Sequence, residues 1–249
     1  MMQKIELNSY LEKKGIHILN SKIEKDEDSK NTLKQIDNII FFHNKIGPYK
    51  ENLFPRIRAS IGKEVNSYYS QLLLINKYLR KIQEKESLNS IDFYLISRGE
   101  VLVNSGRKAL NHIYSSNFRN LIERSMKNYE VCLNRVDEGN LKVEEDGKII
   151  VSTVRYLSYN LKEHDIYSYI KKIKRREIDL SIDEIINYYI KSSNLNNDSR
   201  EYLRGLSSYP NEELKVVERY ILGKLKMSER EALEALYKAR NIDSKAIII

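Results

Sequence analysis

One β-rich island in an otherwise helical chain constrains the fold more than any other feature of this sequence. Residues 141–152, LKVEEDGKIIVS, alternate apolar and polar residues on either side of Asp146-Gly147, a pair that favours the tight turn of a two-stranded hairpin. Glu130 to Leu133 reads as a short strand just ahead of it. On both sides the apolar spacing is helical. Leu33, Ile36, Ile39, Ile40 and Ile46 predict a helix over 32–46 that stops before Gly47-Pro48. Ile57, Ile61, Val65, Tyr68, Leu72, Ile75 and Leu79 predict a long helix from about Pro55 to Gln83, and another runs from Ile91 to about Tyr114. A lone hairpin is marginal in water, so helices must cover it. The fold class is therefore mainly α with a small β-hairpin, an α+β protein.

Beyond residue 162 the pattern is helical again. Ser181 with Glu184, and Ser228 with Glu231, have the spacing of capping boxes, and Pro210 suits the first turn of a helix carrying Leu214, Val217 and Tyr220. Residues 3–24 read as strand, helix and strand, with NSYLEKKG as the helix. No apolar run approaches the ~20 residues needed to span a bilayer, which excludes membrane insertion. The charged amino terminus lacks the apolar centre of a secretory signal, so a cytoplasmic location is expected.

Cys132 is the single cysteine, so no intramolecular disulfide forms, and between Val131 and Leu133 it reads as a small buried hydrophobe rather than a nucleophile. The four histidines are scattered, and no metal cluster is indicated. The formal charge of +8 raises nucleic-acid binding, with Lys171, Lys172, Lys174, Arg175 and Arg176 as the densest run. That run ends a helix, where the dipole favours cations, and no aromatic stacking motif accompanies it, so a solvated face is the preferred reading. The 18 tyrosines, among them Tyr68, Tyr69, Tyr167, Tyr188 and Tyr189, sit at helical spacings that suit core or boundary positions, with interfaces as the alternative. The apolar tail Ala246 to Ile249 docks on the fold or on a partner, or frays.

Val131-Cys132, then Asn140, then His164-Asp165 ahead of a helix, and the later stretch LSSYPNEELKVVERY over 206–220 carry a likeness. From about Leu33 to Asn241 the chain resembles the carboxyl-terminal lobe of kinase-fold phosphotransferases. Within these it is most similar to the CotS-like spore coat family, relatives of the aminoglycoside and choline phosphotransferases. In that family the centre reads approximately V-C-H-G-D-x-x-x-x-N, then a hairpin, then I-D-F-D-Y, then H-D. Here H-G-D is replaced by Leu133-Asn134-Arg135, and D-F-D by Thr153-Val154-Arg155.

The resemblance marks Leu133, Arg135, Asn140, Thr153, Arg155 and Asp165 as vestigial kinase-site positions, and the chemistry of the residues explains why none is assigned as catalytic. A guanidinium has no acceptor for a hydroxyl proton, so Arg135 cannot serve as the base. Thr153 offers Mg²⁺ a neutral hydroxyl where a carboxylate is wanted, and Arg155 adds repulsion. Asn140 is the only evident retained ligand, so ATP and Mg²⁺ binding are not expected and no cofactor or metal is assigned. Asp137 and Glu138 either supply a displaced base or form a solvated acidic turn at Gly139. The resemblance implies that Asp165, at the head of its helix, holds shape by accepting hydrogen bonds from the loop backbone, and His164 reads as a packed or capping histidine.

A kinase-fold amino lobe brings a glycine-rich loop and a strand lysine, yet Gly15 is the only glycine before Gly47. The resemblance thus implies a truncated or missing amino-terminal lobe. Residues 1–30 are its vestigial remnant and residues 31–249 the kinase-like helical lobe. The function implied is a catalytically inactive pseudokinase, a structural or interaction protein with spore coat proteins as partners, located in the cytoplasm or the coat. The alternatives are a phosphotransferase using Asp137, Glu138 and Asn140, and a basic nucleic-acid binder using Lys171 to Arg176.

Overall fold

Strand, helix and strand open the described chain: β1 (Ile5–Glu6), α1 (Leu7–Lys13) and β2 (Ile16–Ile18). The computed structural model describes residues 5–24, 31–48, 53–178 and 180–244, so the apolar tail at 246–249 lies outside it. Leu7, Tyr10, Leu11 and Ile16 belong to the same apolar core as the helices that follow. Asn31 starts α2 (Thr32–Ile46), its side chain accepting the Leu33 and Lys34 N–H groups, and Ile36, Ile39, Phe42 and Ile46 form the buried stripe.

β3 (Leu53–Phe54) and β4 (Arg58–Ala59) precede α3 (Lys63–Ile82). The helix expected from about Pro55 thus starts eight residues later, as the ranges show. Arg58 and Ala59 pair with Ser158 and Tyr159, and Gly62 takes a left-handed φ of 74°, so the backbone upstream of Lys63 cannot continue the helix. Ile57 and Ile61 still pack on the core, but from extended chain rather than from a helix face.

α4 (Ser90–Ser115) is the spine, begun by a reciprocal capping box between Asn89 and Asp92. α3 lies close against it because Gly99 and Gly106 lack a Cβ: one built there would stand 2.5 Å from Leu79 and 2.7 Å from Leu72. α5 (Phe118–Asn128) is a helix the apolar spacing did not disclose, bounded by Asn117 and Tyr129 in left-handed conformations.

The island then follows as β5 (Val131–Cys132), β6 (Leu141–Val143), β7 (Ile149–Val151) and β8 (Ser158–Tyr159). β6 and β7 form the hairpin, turning at Gly147 with φ 81° while Asp146 accepts the Lys148 N–H. β2 adds to it in parallel, giving the order β2-β7-β6, and a second small sheet runs β4-β8-β5. β1 and β3 form a third, parallel pair. β1, β2 and β5 fall where strands were expected, whereas β3, β4 and β8, two residues each, are too short to show alternation.

The carboxyl-terminal helices are α6 (Glu163–Arg175), α7 (Ile182–Ser192), α8 (Asn197–Ser208), α9 (Asn211–Ile221) and α10 (Glu229–Asp243). Ser228 and Glu231 close a full capping box, whereas Ser181 accepts the Glu184 N–H without a reciprocal bond among the described contacts. Pro210 sits one position before α9, at its cap rather than inside its first turn. Tyr68, Tyr167 and Tyr189 are core residues, while Tyr69 is exposed on α3. No helix among the described residues is long and apolar enough to cross a membrane.

Candidate functional site

β5 delivers the chain into the loop 133–140, and the first turn of α6 holds that loop from beneath. Asp165 has no exposed surface; its carboxylate accepts the Leu133 N–H at 2.9 Å and the Asn134 N–H at 2.7 Å. His43, in the last turn of α2, places Nε2 2.9 Å from the same carboxylate. Leu133 fills an apolar core position. Asn134 adopts φ 62°, and its amide donates to the Tyr156 carbonyl at 2.7 Å and the Ser158 hydroxyl at 2.9 Å. One hand of the loop is thus tied to α6 and the other to the segment after the hairpin.

Asn140 completes the tie. Its buried amide donates to the carbonyl oxygens of Arg135 (2.5 Å) and Thr153 (3.3 Å), and its oxygen accepts the Thr153 N–H at 2.9 Å. The structure therefore brings positions 133, 135, 140, 153 and 165 together. Asn140 holds backbone to backbone, and its oxygen is turned to an amide hydrogen. The Thr153 hydroxyl accepts the Arg155 N–H at 3.2 Å, and the Arg155 guanidinium lies over the Tyr156 ring, 5.8 Å from its centre. Arg135 and Arg155 are both exposed.

The two carboxylates that a displaced active site would need are committed elsewhere. Asp137 lies 2.7 Å from the Lys172 ammonium and accepts the Gly139 N–H at 3.1 Å. Glu138 is buried, not part of a solvated turn: it receives both arms of Arg176, at 2.9 and 2.8 Å, and the Tyr169 hydroxyl at 2.8 Å. Burial alone would raise the Glu138 carboxyl, but the Arg176 fork and the Tyr169 hydroxyl overcome it and hold its pKa at about 2. A carboxylate so stabilised is a poor proton acceptor at neutral pH.

The same pairs correct the picture of the basic run as a solvated face. Lys172 and Arg176 are spent on Asp137 and Glu138, Lys171 on Glu64 at 2.7 Å, and Arg175 on Glu212 at 2.7 Å. Lys174 is buried and donates to the Ser207 carbonyl at 2.8 Å. His164 is a packed residue whose pKa burial pulls down, its Nε2 3.7 Å from Glu64. Burial raises the Glu64 carboxyl, but Lys171 and His164 oppose it and its pKa settles at about 2.

The helices, hairpin and loop together match known architecture. Over 86% of this chain and 62% of the other, the structure is similar to the crystal structure of an aminoglycoside phosphotransferase from Alicyclobacillus acidocaldarius subsp. acidocaldarius DSM 446, with a TM-score of 0.66. The fold is kinase-like. Sequence identity over the match is 10%, so the likeness is one of fold alone, and the chain spans less than two thirds of that neighbour's length. No protein-family model matches the chain, and no curated protein sequence matches it.

Several residues that build the site carried no signal in the sequence. Gln35 donates to the Val136 carbonyl at 2.6 Å and the Leu141 carbonyl at 3.1 Å, clamping the middle of the loop and its exit from α2. His43 had only its place near a helix end. Arg124 forks between Glu130 and Glu163 at 2.8 to 3.0 Å and fixes the head of α6, on which Asp165 stands. Glu163, directly before His164-Asp165, was the one available pointer to that arrangement.

Proposed function

We propose that this kinase-fold chain performs no phosphoryl transfer and works as a structural or interaction protein, through protein partners. The observation that carries this reading is the fate of Asn140: the residue aligned with a metal ligand spends both its donor and its acceptor on the backbone of Arg135 and Thr153. Around it stand a fixed cation, a neutral hydroxyl and two carboxylates already neutralised by Lys172 and Arg176. Phosphoryl transfer depends on positioned Mg²⁺ and a group that orients the nucleophile, and nothing in this arrangement is free to supply either. In this reading residues 1–30 correspond to the remnant of the amino lobe and 31–249 to the helical lobe.

Calorimetry with ATP and Mg²⁺ tests it. No submillimolar, metal-dependent heat is expected; such binding, or ATP turnover that falls on Asp137→Asn or Glu138→Gln, would establish a rearranged phosphotransferase instead.

The assignment to the spore coat rests on the resemblance of 131–165 and 206–220 to the CotS-like family. Immunolocalisation in sporulating cells is expected to place the chain on the developing coat, and signal confined to sites away from it would overturn that part.

A further inference from the structure

Behind the loop, three side chains from distant parts of the sequence converge: His43 from α2, Cys132 from β5 and Asp165 from α6. Their ligand atoms all lie within 4.8 Å of one another, and His43 Nε2 is 2.9 Å from Asp165 Oδ2. Cys132 and Asp165 have no exposed surface, and the His43 side chain is 7% exposed. We propose that His43, Cys132 and Asp165 form a binding site for a single Zn²⁺ ion that locks the loop to the helical body.

The donor set points to the metal. A thiolate and an imidazole favour borderline-soft transition ions over Mg²⁺, and one sulfur, one nitrogen and one oxygen match the ligands zinc takes in tetrahedral sites. With metal–ligand bonds of about 2.0 to 2.3 Å, neighbouring ligand atoms stand roughly 3.3 to 3.8 Å apart. The cluster brackets that spacing, and a small rotation of the His43 ring opens its shortest edge. The carboxylate is already oriented from outside, because the Leu133 and Asn134 N–H groups fix Asp165 as outer partners fix metal ligands generally.

Access is also at hand. His43, with Glu130, Val131 and Lys162, lines a cavity of about 380 Å³, so one ligand of the cluster is in reach of water and of entering metal.

On binding, the ion replaces the hydrogen between His43 Nε2 and Asp165, with the imidazole hydrogen carried on Nδ1. The Cys132 thiol, now donating to the Leu161 carbonyl at 2.9 Å, releases its proton to solvent. No electron transfer is involved.

The test uses the full chain purified under reducing conditions. After zinc loading and dialysis, mass spectrometry of the metal content should give equimolar zinc, lost in Cys132→Ser and in His43→Gln and retained in His17→Gln. Cobalt substitution keeps the experiment decisive even if the variants fail to fold. Cys132 is the only cysteine, so in thiol-free buffer a thiolate-to-cobalt charge-transfer band of the unmodified chain can come from no other residue. Folded protein that binds no equimolar zinc, or that binds metal without this band, overturns the proposal.

Discussion

Asp165→Ala is expected to lower the unfolding free energy by about 3 to 5 kcal/mol, measured by urea denaturation at neutral pH. The carboxylate is fully buried and is the acceptor for two consecutive backbone N–H groups, at Leu133 and Asn134. Truncation leaves both donors in the interior without partners, at roughly 1 to 3 kcal/mol each, and also strips His43 of its 2.9 Å contact. Asp165→Asn preserves the shape but turns an NH₂ group toward one of the two donors, so an intermediate loss is expected. The damage should be local first: amide hydrogen exchange at Leu133 and Asn134 accelerates in either variant more than at Leu214 in α9. A loss below about 1 kcal/mol for the alanine variant would mean that the loop is held by other contacts, with Asn140 and Gln35 the leading candidates.

The helices were legible where a single apolar stripe meets a recognisable end. α2 runs from Thr32 to Ile46, between the caps Asn31 and Gly47, as its spacing demands, and α4 follows its stripe to within a residue at either end. The hairpin was legible because Asp146-Gly147 requires a left-handed residue that glycine provides. What escaped was every feature decided at long range. Ile57 and Ile61 keep helical spacing with Val65, yet Arg58 and Ala59 are claimed by β8, a strand about a hundred residues away in sequence. The basic run has the composition of a solvated or nucleic-acid-binding face. Its partners, Glu64, Asp137, Glu138 and Glu212, are brought to α6 only by the packing of α3, the loop and α9.

The site divides in the same way. That Arg135 and Thr153 bring neither a proton acceptor nor an anionic ligand follows from residue type alone. That Asn140 is turned inward onto backbone, and that Glu138 is buried in an arginine fork, depends on rotamers and tertiary contacts that no local pattern encodes. His43 and Cys132 are 89 positions apart, and the cluster they form with Asp165 exists only once β5 is laid between α2 and α6.

Arg124→Ala is expected to cost about 3 kcal/mol or more at pH 7, because removing one member of a buried ion network leaves its partner charged and unpaired. Glu163 is fully buried, and Glu130 retains only 10% side-chain exposure. Burial by itself would raise the Glu163 carboxyl, but the Arg124 fork outweighs it and keeps the pKa below the usual 4.5. A depressed folded pKa contributes stability that is present above the unfolded value and lost as pH falls through the folded one. In the variant the sign reverses. Without the guanidinium, desolvation governs, the folded pKa of Glu163 rises above its unfolded value, and the resulting penalty grows as pH increases. The stability gap between parent and variant should therefore be widest near neutral pH and narrow as pH falls toward about 4. Adding Glu163→Gln removes the buried charge, and the double variant should recover part of the loss at pH 7 while losing the pH dependence of the gap. Urea titrations of the four proteins at neutral and acidic pH give the full cycle. A gap that stays constant with pH would show that Arg124 acts through its packing and its bond to Ser199 rather than through the charge of Glu163.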